Sequence, residues 1–94
     1  MKSNLTPGQI ERLVILSEEC AEVIQVASKV LRFGLHDHHP DRPTGSNQLD
    51  LEIEIGDLLA AVDMLIAAGD LRSKLISMQR AHKPSKLRQY LFHQ

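Results

Sequence analysis

Two groups of acids carry the spacing best suited to chemistry: Glu18, Glu19 and Glu22, then Asp50, Glu54 and Asp57. On a helix, positions i and i+3 share a face, so Glu19 projects with Glu22 and Glu54 with Asp57. None of Glu18, Glu19 and Glu22 has a lysine or arginine three or four residues away to pair with. Like charges held this close repel and lose hydration, which destabilises the fold unless something positive binds between them. Four such carboxylates brought together form a hard oxygen site, suited to Mg²⁺ or Mn²⁺ rather than Zn²⁺. The simpler alternative is a solvated acidic stripe, since acids are common on helix surfaces. The run Glu54-Ile55-Gly56-Asp57 weighs against it. Glycine inside an apolar helix costs about 1 kcal/mol relative to alanine, and a small residue there admits another backbone or a ligand.

Other reactive side chains are few. Cys20 is the single cysteine, which excludes an internal disulfide and a CxxC metal knuckle. It falls on an apolar stripe and reads as a small core filler. His36, His38 and His39 lie in a loop without the fixed spacing of a structural zinc site, so solvent-exposed histidines are expected there.

The elements that must position the acids follow from hydrophobic periodicity. Ile10, Leu13, Leu16, Cys20, Val23, Ala27 and Val30 recur at intervals of three and four, which predicts an amphipathic helix ending at Phe33. Thr6 is its expected N-cap, Pro7 its first residue and Gly34 its stop. Residues 34–48, with two prolines and two glycines, form a long loop. A second helix is expected over Leu49–Ala68, capped by Asn47, with Leu51, Ile55, Leu58, Val62 and Leu65 as its core stripe. Gly69 ends it, and Asp70 is placed to cap a third helical segment, in which Pro84 either introduces a kink or starts a last short turn.

With 94 residues the chain is one domain, too short for a large doubly wound sheet. The expected class is all-α: a compact helical module that completes a four-helix-bundle core by oligomerisation, because the segment LLAAVDMLIAA is apolar almost all round. A homodimer is the minimum expected, with a dimer of dimers as the larger option. The opening MKSNLTPGQ lacks the apolar stretch of a signal peptide, and the apolar run near residue 58 is too short for a bilayer and broken by Asp63. A soluble cytoplasmic protein without a membrane role is therefore expected.

The stretches EECAEVIQVASKVLRFG and LEIEIGDLLAAVDML, read together and in order, resemble the EExxE…ExxD signature of the MazG-like all-alpha nucleoside triphosphate pyrophosphohydrolases. That superfamily also contains dimeric dUTPases and dCTP pyrophosphatases. The resemblance covers most of the chain and implies a single minimal module of that kind. Carried over residue by residue, it makes Glu19, Glu22, Glu54 and Asp57 metal ligands, with Mg²⁺ the expected ion and Mn²⁺ a substitute. Glu18 matches the family glutamate assigned to orienting or deprotonating the attacking water. The implied reaction is hydrolysis of a nucleoside triphosphate, deoxynucleotides included, to the monophosphate and pyrophosphate. One departure is plain: where many MazG domains carry an asparagine seven residues after the motif aspartate, this chain has Met64.

The charge distribution suits such a substrate. Residues 1–70 hold all 12 acids and 5 Lys/Arg, while residues 71–94 hold 6 Lys/Arg and no acid, although the formal net charge is only -1. Lys83, Lys86 and Arg88 resemble the basic ending of compact family members and are candidate phosphate contacts, as are Lys29 and Arg32 near the end of helix 1. A cationic surface that merely balances the acidic helices is the other reading of that tail. Asn47 or a loop histidine is a weaker candidate for touching base or sugar if the loop closes over the nucleotide. A nucleic-acid partner is disfavoured, because only Tyr90 is clearly placed to stack and the carboxylates would repel a backbone. The competing functional class is a non-enzymatic helical protein whose apolar surface serves oligomerisation or partner binding.

Overall fold

The computed structural model describes residues 4–93. The first three residues of the stretch read above as lacking a signal peptide lie outside that range. Three helices make up the fold: α1 (Pro7–Phe33), α2 (Asn47–Ala67) and α3 (Ser73–Arg88), with no strand among the described residues. No helix there is long and apolar enough to cross a membrane.

Local chemistry sets the helix ends. At α1, the Thr6 hydroxyl accepts from the Gln9 backbone N–H at 3.1 Å while Gln9 Oε1 accepts from the Thr6 N–H at 2.9 Å. Two orphan donors are thereby satisfied reciprocally in a capping box. Gly34 stops the helix as expected, at φ +89°, a conformation that glycine adopts without strain. At the far end of α2, Gly69 (φ +82°) donates to the Ile66 carbonyl at 3.0 Å and Asp70 to that of Leu65 at 2.9 Å. That pair of bonds is a Schellman motif.

Two expected caps are corrected. Ser46, not Asn47, caps α2: its hydroxyl accepts from the Leu49 N–H at 3.1 Å. Asn47 is instead the first helical residue and is buried, its Nδ2 donating to the Gly34 carbonyl at 3.0 Å. Asp70 does not cap α3, whose start at Arg72 has no side-chain cap. Its carboxylate takes the Arg12 guanidinium through both Nε and Nη2, joining the first half of α1 to the end of α2. The bidentate pairing raises the Arg12 pKa and lowers that of Asp70.

These ties define an antiparallel α1/α2 hairpin, pinned by Gly34–Asn47 at one end and Arg12–Asp70 at the other. Its seam buries Val26, Ala61 and Leu65. Several positions of the expected stripes lie off this seam: Ile10 and Leu13 are 47% and 36% exposed, while Val26, outside the expected α1 stripe, is buried. Cys20 is exposed rather than a core filler. Ile55 is 42% exposed, and Ala61 takes an inward place that the expected stripe left out. Pro84 does not divide the last segment: α3 runs through it to Arg88. No residue of α3 is buried, and the extensive helix–helix interface is the one between α1 and α2.

Much apolar surface stays open in the single chain, including Ile24 at 67% and Leu31 at 87% exposure. The accessible surface is 7914 Å², against about 5,500 Å² for a compact monomer of this mass. The radius of gyration is 16.6 Å, against about 12 Å for a compact domain of this length.

Candidate metal centre

The antiparallel register sets the middle of α1 against the middle of α2. Glu19 and Glu22 come from α1, Glu54 and Asp57 from α2, and one ligand oxygen from each lies within 4.8 Å of all the others. Opposite oxygens around a single ion stand about 4.2 Å apart for Mg²⁺ and about 5 Å for Ca²⁺. The set therefore spans one hard divalent cation. Among the described residues this is the one convergent group of potential ligands; His36, His38 and His39 do not form another.

Burial separates this cluster from a solvated stripe. Glu19 Oε2 and Glu54 Oε2 are both out of solvent and have no hydrogen-bond partner among the described residues. A buried carboxylate oxygen without a donor is costly, and a cation between the helices removes that cost. The same frustration moves the titration of both groups. Burial pushes the Glu19 pKa up, reinforced by the charges of Glu22 and Asp57. For Glu54 the adjacent Glu22 carboxyl, with which a proton can be shared, is the largest cause of an upward shift, followed by burial and the nearby charges. Glu18 is exposed and outside the four-residue set, yet close enough for its charge to add to the rise at Glu19.

Gly56 offers nothing to a neighbour within the chain, since a Cβ built there would meet no atom within 4 Å. Its bare face on α2 opens outward instead.

Beside the carboxylates lies an open cleft of about 360 Å³, bounded by Glu22, Gln25, Lys29, Arg42, Asp50 and Glu54. A second cleft of about 240 Å³ adjoins it through Lys29, Arg42 and Asp50 and continues past Phe33 and Asn47 to His38 and His39. Lys29 thus stands next to the carboxylate cluster, as its spacing from Glu22 predicts. Asn47 lines the second cleft while its amide holds Gly34. Arg32 lies over the Phe33 ring, 5.2 Å from the centroid, and borders neither cleft. Lys83, Lys86 and Arg88 ride on α3 and line neither cleft of their own chain. Arg42 was missed by sequence reasoning. Its only signal was a lone cation in a proline-rich loop, and a tertiary contact, the 2.9 Å bond to Asp50 on α2, puts it at the site.

The opposed pKa shifts predict the pH profile of metal-free stability. Glu19 and Glu54 bind protons more tightly folded than unfolded, so their contribution is complete below the ordinary glutamate value and lost as pH rises through the raised values. Asp70 acts in reverse: its contribution is present above the ordinary aspartate value and lost as pH falls through its depressed one. Chelator-treated protein should therefore melt highest in a mildly acidic window and less well at neutral pH, while saturating Mg²⁺ should erase the neutral-side fall. Thermal melts followed by circular dichroism check this; a metal-free profile that is flat on the neutral side would show no proton linkage at Glu19 and Glu54.

Comparison with protein-family models, with curated proteins and with solved structures finds no match to this chain.

Proposed function

We propose that the chain is a divalent-metal-dependent nucleoside triphosphate pyrophosphohydrolase of MazG-like type, active as a homodimer or dimer of dimers. The observation that carries this is the convergence of Glu19, Glu22, Glu54 and Asp57, two of them with buried, partnerless oxygens. The EExxE…ExxD resemblance supplies the reaction class and the expected ion, Mg²⁺ with Mn²⁺ as substitute, and the all-oxygen donor set supports a hard divalent cation of that class. Bound there, the ion would neutralise phosphate charge and polarise the attacking water. The chain's own groups do the remainder. Glu22 and Glu54 edge the cleft in which the triphosphate lies, Lys29 meets its charge, and Glu18, free at the margin, orients or deprotonates water. Cleavage between the alpha and beta phosphates yields a nucleoside monophosphate and pyrophosphate. The second cleft, with Phe33, Asn47 and the loop histidines, is the place for base and sugar.

The uncovered apolar surface supports association. Its excess over a compact monomer is larger than the roughly 800 Å² that each partner contributes to a standard interface. In such an assembly α1 and α2 of two copies complete a four-helix core. The α3 helix, unpacked in its own chain, can then bring Lys83, Lys86 and Arg88 to a neighbour's cleft.

Purified protein should release pyrophosphate from nucleoside triphosphates only when Mg²⁺ or Mn²⁺ is supplied. Folded protein with saturating metal and no turnover across a panel of ribo- and deoxynucleotides would sink the proposal. The same exposed apolar surface favours a second reading, a non-enzymatic oligomerisation or partner-binding module. An associating chain whose carboxylates take up no ion at millimolar Mg²⁺ would select it.

A further inference from the structure

The two clefts meet at Arg42, the cation that both share with Lys29. Two turns fix its backbone: the Arg42 N–H donates to the His39 carbonyl at 2.9 Å, and the Arg42 carbonyl accepts from Gly45 at 3.0 Å. The loop is held at its base by backbone bonds from Asn47 to the Asp37 carbonyl and from Gln48 to that of Leu35. The guanidinium itself is lightly committed. Among the described residues it makes a single bond, from Nη2 to Asp50 Oδ2 at 2.9 Å, and its side chain is 60% exposed. An exposed, singly bonded ion pair is weak, whereas a phosphate offers several charged acceptors to the planar fork of an arginine. Three carboxylates, Glu22, Asp50 and Glu54, face Lys29 and Arg42 across the first cleft, so it turns attractive to anions only once a cation sits among the acids.

We infer that Arg42 grips the terminal phosphates of a bound polyphosphate, exchanging its resting bond to Asp50 for them. This rests on the hydrolase assignment above and names the residue that holds the leaving pyrophosphate. Asp50 acts as a parking place that keeps the guanidinium at the cleft mouth without filling it.

Titration calorimetry of inorganic pyrophosphate into the full chain at saturating Mg²⁺ tests the exchange. Arg42→Ala should weaken binding about 10- to 100-fold, and Arg42→Lys should recover part of that loss, restoring charge without the fork. Asp50→Asn should bind as tightly as wild type or more so, because the guanidinium is released. A residue serving only to tether the loop gives the opposite result for Asp50→Asn, a loss equal to that of Arg42→Ala. That result, or unchanged binding by folded Arg42→Ala, overturns the inference. If the alanine variant does not fold, equal losses in Arg42→Lys and Asp50→Asn overturn it instead. Wild-type protein that is thermally stabilised by Mg²⁺ yet does not bind pyrophosphate also overturns it. The hydrolase assignment is decided separately, by turnover of the wild type.

Discussion

Replacing Glu19 or Asp57 with alanine should lower metal-dependent pyrophosphate release by roughly 1,000-fold or more, the scale of the several kcal/mol of transition-state stabilisation that a catalytic divalent ion supplies. The two positions reach this outcome from different environments. Glu19 is half-buried with an orphaned oxygen, whereas Asp57 is exposed on the α2 side of the same cluster. Removing either leaves three of the four convergent oxygens, and with them a weaker, incomplete set. The fold should survive, because each change also removes a like charge from a crowded cluster. Glu19→Gln sharpens the test. It keeps the shape and removes the charge, so the metal-free protein should melt at a higher temperature than wild type at neutral pH while gaining far less from added Mg²⁺. Pyrophosphate assays paired with circular dichroism melts read both effects. A variant with wild-type turnover would remove that residue from the site.

Leu65→Ala should destabilise the chain by about 2–5 kcal/mol, the usual range for emptying a buried leucine site. Among the described residues Leu65 is the one large side chain with no exposure at all, and the rest of the buried apolar set is Val26 and Ala61. Small domains hold only about 5–15 kcal/mol in total, so this single change can exhaust the margin of the α1/α2 seam. Its effect extends past packing. The Leu65 carbonyl receives the Asp70 and Leu71 N–H groups in the turn that ends α2, and Asp70 is the partner of Arg12. Loosening Leu65 thus loosens the clamp at that end of the hairpin. Urea unfolding at one fixed protein concentration measures the change, since association would otherwise alter the apparent stability. A loss below 1 kcal/mol would mean that the seam contributes little to folding.

The helices were legible in the sequence because their signals are local. Thr6, Pro7, Gly34 and Gly69 all act within a turn or two of the chain. The paired projection of Glu19 with Glu22 and of Glu54 with Asp57 follows from helix geometry alone. Their convergence does not, for it needs the antiparallel register, which long-range bonds fix. Asn47 and Ser46 are adjacent residues equally able to cap a helix; Asn47 lost the role to a bond with Gly34, 13 residues away. Asp70 was drawn from its expected cap by Arg12, 58 residues distant. Cys20 and Ile55 satisfied a period of three to four, but periodicity does not say which side of the stripe a partner helix covers. Arg42 was invisible for a related reason, since its place depends on how a loop lies over α2. The basic tail stood out as composition, yet composition carries no position, and the clefts of its own chain are lined without it.

The bonds at the two ends of the hairpin, Gly34–Asn47 and Arg12–Asp70, flank a middle that is electrostatically unfavourable. A pair of helices free to splay would relieve the repulsion among the four acids by moving apart, and would lose the spacing of the cluster in doing so. Clamped at both ends, the carboxylates stay assembled before any ion arrives. A cation bound among them would therefore meet a preorganised cluster, with little of its binding free energy needed to close the hairpin. On the proposed reading, ion affinity also depends on bonds more than a helical turn away from the cluster, so changes at Asn47 or Asp70 that never touch the four acids should weaken metal uptake.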